Sequence, residues 1–380
     1  MGSKRFLLDN AWYLHFDEIP YRIDPGGPLT TLNSASPKNV LAPNRVEDLR
    51  GWLPIDAVVY DGRPGIVLMD MRGVELIEPF FHQSVDRFRA ETSDMKECLT
   101  DLDALIQLEK ITSSLVPAGF IFHSSRCGST TVTNALKKID GAIVIAEAPV
   151  LDKLIGRFFT DADSAVKEAL YSVFLRGAVA AFGQPRSANE RHLIIKFSCQ
   201  SVGQLDRILR IWPNVPWLFL YRDPLETIVS NIEVMPDWLL GKADARILSA
   251  IAGADERERP TMCLEELCAR AIGSFYDTAQ RLANDKCLLL NYNELSIRAV
   301  ERIAEFFKLS ISDHELAAIE LSLRNYSKDS SREFTDDSEA KQSTASPLIR
   351  KLVSKWAANS YRVLDQKKLA RSAASIEQFQ

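Results

Sequence analysis

The stretch Gly119-Phe-Ile-Phe-His-Ser-Ser-Arg-Cys-Gly-Ser-Thr-Thr131 decides how this chain is read. Its opening run, Gly119–His123, is short and apolar and predicts a buried strand. Val132, Ala135, Leu136 and Ile139 then recur at i, i+3, i+4 and i+7, which predicts a helix with one face on a sheet. Between them lies a loop suited to anions. A helix N-terminus presents unpaired N–H groups and a partial positive charge. Gly128 lets backbone approach a ligand closely. Ser129, Thr130 and Thr131 add hydroxyls beside Cys127, and Arg126 adds a fixed charge in a planar fork. The sum is an anion cradle; the plainer alternative is a capped helix with an incidental arginine. A Walker A loop needs Lys directly after the second glycine, and here Ser129 follows Gly128. A magnesium-dependent phosphoryl transferase of that type is therefore disfavoured. A sulfate ester carries less charge than a phosphate, so an arginine and backbone amides would suit its transfer without a metal.

Outward from this loop, apolar runs recur at Ala142–Ala146, Leu193–Phe197, Trp217–Tyr221 and Cys287–Asn291, with helical patterns between most of them. That alternation predicts an α/β unit, a parallel sheet flanked by helices. Ligands of such sheets bind at the carboxyl ends of the strands. Trp217–Tyr221 runs into Arg222-Asp223-Pro224-Leu225-Glu226, where Asp223 suits the N-cap, Pro224 the first helical position and Glu226 the third, a capping-box pattern. Ser230 lies off the apolar stripe of that helix, so Arg222 and Ser230 together offer a second anion site.

The 380 residues carry a net charge of −5, with 46% hydrophobic and 26% charged residues. Such composition excludes a disordered, collagen-like or coiled-coil protein and disfavours a nucleic-acid partner. No apolar run is long enough for a membrane span, and Asp9 interrupts the only candidate signal core. The six cysteines form no CxxC pair and no zinc spacing, so they read as reduced thiols of a cytoplasmic protein without a metal. Residues 1–110 read as a small N-terminal α+β accessory region: irregular to residue 56, strands at Ala57–Tyr60 and Ile66–Met71, then a polar helical segment over 83–113. Residues 111–380 read as the catalytic unit.

Two separated stretches resemble one family, the sulfotransferases that use 3′-phosphoadenosine 5′-phosphosulfate. HSSRCGSTT is similar to their 5′-phosphosulfate loop, and Arg222 with Ser230 eight positions on is similar to their 3′-phosphate site. LLLNYNEL at Leu288–Leu295 resembles their last core strand. The segment Lys328–Lys341 resembles the C-terminal loop that bacterial members close over the nucleotide, which implies roles for Lys328, Arg332 and Lys341. The resemblance spans about 115–365 and implies a P-loop-like fold, with transfer of a sulfuryl group to a hydroxyl or amine of a small-molecule acceptor. It makes Arg126 the sulfuryl clamp where Lys is more usual, a change that keeps the charge but removes a shareable proton. It makes Glu147, just past the second strand, the proton acceptor of the heparan-type branch, and Lys196 an orienting group. His123 is the rival base. A kinase on the same fold and a non-catalytic nucleotide-binding module are the alternatives. The acceptor would be chosen by loops at about 157–192 and 232–262 and by the N-terminal region.

Overall fold

The computed structural model describes residues 49–60, 63–93, 95–111, 113–156, 165–240, 245–254, 257–258, 261–324 and 337–377. Strands β1 (Trp52–Tyr60), β2 (Arg63–Asp70) and β3 (Glu97–Asp101) form an antiparallel sheet in that order. Strands β4 (Pro117–His123), β5 (Ala142–Ala146), β6 (His192–Lys196), β7 (Trp217–Tyr221) and β8 (Cys287–Asn291) form an all-parallel sheet ordered β5-β6-β4-β7-β8. Helices cover both faces of it, as the alternating pattern requires. Three strands coincide with their apolar runs. Strand β6 begins one residue earlier, at His192, because Arg191 and His192 both donate to Gly141 O and draw the chain into register with Ala142. The polar stretch 83–113 is not one helix. It divides into helix Phe81–Glu91, β3 and helix Asp103–Ile111, since pairing with β2 buries Cys98 and overrides local propensity.

Strand alternation assigns the two faces. Phe120, Phe122, Ile143, Ile145, Leu193, Ile195 and Phe219 belong to a core shared with helices Ala165–Phe182 and Leu264–Leu282. Ile121, Val144, Ile194, Leu218, Leu220 and Leu290 face helices Ser129–Leu136 and Ile297–Phe306. Lys196 shares the parity of Ile194, so its side chain leaves the sheet toward the helix that follows β4.

The N-terminal sheet joins the first of these cores. β1 packs on helices Pro149–Gly156 and Ala165–Phe182. Gln184 ties it further, accepting from Gly51 N at 2.9 Å and donating to Trp52 O at 3.1 Å. Strands leave β4 in both directions, to β5 and β6 on one side and to β7 and β8 on the other. The loops after β4 and β7 therefore flank the switch point where such sheets bind ligands. Among the described residues no helix is long and apolar enough to cross a membrane.

At the C-terminus, helices Pro347–Trp356 and Ala358–Glu377 pack on Leu264–Leu282. Gly273 marks the closest approach: a Cβ there would lie 2.1 Å from Trp356 O. Tyr221 Oη donates to Asp365 Oδ1 at 2.6 Å and Asn291 to Tyr361 Oη at 2.9 Å, so the last helix is pinned to β7 and β8. Gly273→Ala should overpack this crossing and cost about 1–3 kcal/mol in thermal denaturation. An unchanged melting temperature would show that the helices separate freely.

Candidate active site

The loop after β4 is held in a conformation that apolar packing alone would not give. Ser125, Arg126 and Gly128 have φ of 69°, 49° and 78°. At Gly128 a Cβ would fall 2.3 Å from Leu295 Cδ1, so glycine is required by both backbone and space. Ser125 N donates to His123 Nδ1 at 3.2 Å and Ser125 Oγ to Asn231 Oδ1 at 2.9 Å. The Arg126 guanidinium donates to Val234 O. The loop is thereby fastened to helix Pro224–Glu233. Cys127 turns its thiol into the core, where burial pushes its pKa up. Ser129 and Thr130 are buried at the helix start and Thr131 is half-buried.

Glu147, Lys196, His123 and Thr130 come together at the carboxyl ends of β4, β5 and β6. Lys196 is fully buried and its Nζ lies 2.5 Å from Glu147 Oε1 and 3.3 Å from Thr130 Oγ1. His123 Nε2 lies 3.3 Å from the same Glu147 oxygen. Glu147 has φ 51°, and its N–H donates to Lys196 O at 2.8 Å. Burial alone would raise its carboxyl, but Lys196 and His123 outweigh that and hold it far below the usual carboxylate range. A quarter of the side chain stays exposed, so it meets solvent on one side. His123 has both ring nitrogens engaged. Nδ1 accepts from Ser125, which leaves the proton on Nε2, facing Glu147.

Arg222 ends β7 and is almost fully buried. Its Nε donates to Glu226 Oε2 at 2.7 Å, and Nη2 to Asp337 Oδ1 at 2.8 Å and Ser338 Oγ at 3.1 Å. The guanidinium lies 4.0 Å from the centre of the Tyr292 ring. Asp223 caps the helix through Leu225 N and Glu226 N. Glu226, however, does not complete the expected capping box: Arg222 and Gln342 take its carboxylate instead. Ser230 lies one turn beyond Glu226 on the same helical face and is half-buried. Lys341 is buried and pairs with Asp337, which it shares with Arg222. Lys328 and Arg332 lie outside the described residues.

The sequence did not point to Asp152. It sits in the first turn of helix Pro149–Gly156, where an acidic residue is ordinary. The fold carries it beside Glu147, and Ser198 Oγ donates to it at 2.6 Å. Burial, helped by the charge of Glu147 and opposed by the Ser198 hydroxyl, pushes its carboxyl up to about 7.

No protein-family model matches the sequence. No curated protein matches it either. Solved structures do. A sulfotransferase of Mycobacterium avium is 12% identical, with 67% of this chain and 81% of that chain covered at a TM-score of 0.40. One of Alicyclobacillus acidocaldarius is 15% identical, covering 67% and 96% at 0.38. A mouse sulfotransferase complexed with PAP is 12% identical, covering 66% and 87% at 0.29.

Two carboxyls in one site thus titrate far apart, Glu147 ionised throughout the neutral range and Asp152 near its middle. The folded chain holds the Asp152 proton to about pH 7, whereas the unfolded chain releases it near 3.8. This site's contribution to stability is therefore full below about pH 4 and is lost as pH rises to 7. Asp152→Asn keeps the shape without the charge. Its melting-temperature advantage over the parent should widen from pH 5 to 7 and then level off, at most about 4 kcal/mol. A margin independent of pH would show that the carboxyl titrates normally.

Proposed function

We propose that this chain is a sulfotransferase, moving a sulfuryl group from 3′-phosphoadenosine 5′-phosphosulfate to a hydroxyl or amine of a small-molecule acceptor. The observation that carries the reading is the reach of one buried ammonium. Lys196 touches Thr130 of the anion cradle and Glu147, and so joins a site for the transferring group to a group that can take a proton. Arg222, at the end of the adjacent strand β7, supports a second anion site for the 3′-phosphate.

In the proposed reaction the acceptor oxygen attacks sulfur in line with the bond to the 5′-phosphate. That bond breaks, and its electron pair leaves on the phosphate oxygen. The attacking hydroxyl becomes strongly acidic as its bond to sulfur forms, so a weak base suffices, and Glu147 accepts the proton. Arg126 and Lys196 hold the sulfuryl oxygens, and the amides after Gly128 hold the 5′-phosphate. His123 is a positioning residue in this scheme, with Nδ1 accepting from Ser125 N and Nε2 facing Glu147. An incoming 3′-phosphate exchanges with Asp337 at Arg222, one anion replacing another.

Turnover of the sulfate donor against a panel of acceptors tests the activity. Magnesium-dependent ATP turnover with none from the sulfate donor would make the chain a kinase instead. Adenosine 3′,5′-bisphosphate at about 100 times its dissociation constant should stabilise the chain by about 2.7 kcal/mol. AMP should do far less, and Arg222→Ala should erase the difference; equal shifts from both nucleotides in the parent would remove the 3′-phosphate site. Glu147→Gln should lower kcat about 10²–10⁴-fold at unchanged donor affinity. His123→Asn should keep substantial turnover, and the reverse pattern would transfer the proton to the histidine.

A further inference from the structure

The proposed 3′-phosphate site already holds an anion, and the anion belongs to the chain itself. Arg222 and Lys341 are both buried, and the carboxylate of Asp337 sets one oxygen on each. Oδ1 accepts from Arg222 Nη2 at 2.8 Å, and Oδ2 pairs with Lys341 Nζ. Ser338 Oγ is a second acceptor for Arg222 Nη2, at 3.1 Å. Burial would raise the Asp337 carboxyl, but Lys341 and then Arg222 hold it below the usual carboxylate range.

Two features set this contact apart from an ordinary ion pair. Asp337 is the N-cap residue of helix Ser338–Thr344, a position where aspartate usually accepts from the helix amides. Among the described residues its side chain makes no such bond, so the carboxylate is turned from its own helix start to the two cations. The second feature is that neither side depends on the contact. Arg222 Nε donates to Glu226 Oε2 at 2.7 Å, and its guanidinium lies 4.0 Å from the Tyr292 ring centre. The helix has its own anchor in Gln342, which donates to Glu226 at 3.1 Å and to Asp223 at 3.3 Å. The Asp337 side chain is 49% exposed, so it has a way out to solvent while both cations stay where they are. Charge makes the exchange necessary. Arg222 and Lys341 face Asp337 and Glu226, and the four charges cancel. Withdrawal of Asp337 leaves one positive charge uncompensated for a phosphate to meet.

We infer that Asp337 is a tethered competitor for the 3′-phosphate: it stands in for that group on Arg222 and Lys341, and a nucleotide's 3′-phosphate binds by displacing it. The inference rests on the sulfotransferase reading and concerns regulation of that same site. A competitor joined to the chain acts at a high effective concentration. Apparent affinity for the nucleotide falls with the fraction of sites it closes. A nucleotide with a 3′-hydroxyl leaves the pair intact and is indifferent to it. Sulfate donor and bisphosphate product carry the same 3′-phosphate, so both are held more loosely, and the spent nucleotide is freed more readily.

Calorimetry of the full chain with adenosine 3′,5′-bisphosphate and with AMP compares the parent with Asp337→Asn, Asp337→Ala and Glu339→Gln. Both Asp337 variants should bind the bisphosphate about three- to thirtyfold more tightly, with AMP affinity unchanged. Glu339→Gln removes a charge from the same helix at an exposed position and should alter neither. In an Arg222→Ala background the gain from Asp337→Asn should largely vanish. Thermal denaturation is the second readout. Without nucleotide the Asp337 variants should melt slightly below the parent, having lost both ion pairs; the bisphosphate should then raise their melting temperatures by more than the parent's. Unchanged or weaker bisphosphate binding in both variants would overturn the inference and make Asp337 a group that orients Arg222. A gain matched by Glu339→Gln, or kept in full without Arg222, would overturn it as well, because only the overall charge would then matter. A parent that neither binds the bisphosphate nor turns over the sulfate donor would remove the sulfotransferase reading and the inference with it.

Discussion

One buried ammonium constrains this structure more than any other group. Lys196 is fully removed from solvent at the end of a central strand, where an unpaired charge would be prohibitively costly. Its partners come from three further segments: Glu147 beyond β5, Thr130 at the start of the helix after β4, and the Phe80 ring from the N-terminal region. Together these partners surround the buried charge. Such pairs seldom add net stability over apolar packing, and removing one partner is far more damaging than never having had the pair. The arrangement is better understood as holding four segments in one geometry than as a source of fold stability.

The pair also sorts the protonation states around it. Glu147 lies against the ammonium and stays ionised, while Asp152, close to Glu147 but hydrogen-bonded to Ser198, feels that negative charge and holds its proton to near neutrality. Lys137 reports the same field from the other side. Burial and, after it, the nearby Lys196 lower its ammonium to about 8 against the opposing charge of Glu78.

Much of the fold was legible because its signals are local. Apolar runs of five residues marked strands, and the i, i+3, i+4 stripe after Gly128 marked the helix beside them. Asp223 and Pro224 marked the start of another. Strand β3 was not legible, since Glu97–Asp101 has one buried residue of note and becomes a strand only through pairing with β2. In the candidate site, Glu147 and Lys196 could be named from the family resemblance and His123 from its place at a strand end. What they do to one another could not, because the distances depend on the order β5-β6-β4, which no local pattern contains. Asp152 and Phe80 escaped for the same reason. Each looks ordinary at the start of its own helix and gains meaning only from contacts with other segments, Asp152 with Glu147 and Ser198 and Phe80 with Lys196.

The two proposed anion sites are set apart by a single rigid element. Helix Pro224–Glu233 begins directly after Arg222, and its last turn receives the β4 loop through Asn231 and Val234 O. Ten residues at 1.5 Å per residue give a ruler of about 15 Å. Both ends of that ruler are fixed by buried contacts: the start by the Asp223 cap and by Tyr276 Oη donating to Arg222 O at 2.6 Å, the finish by Ser125 on Asn231. The helix is buried nearly all round, including the polar residues Glu226, Thr227 and Asn231, so it has little freedom to slide or rotate. A ligand with two anionic groups is therefore measured against a fixed length. Under the proposed reading, the 5′ end would meet the loop at Gly128 and the 3′ end Arg222. Neither loop can shift alone, because the element that joins them is part of the core.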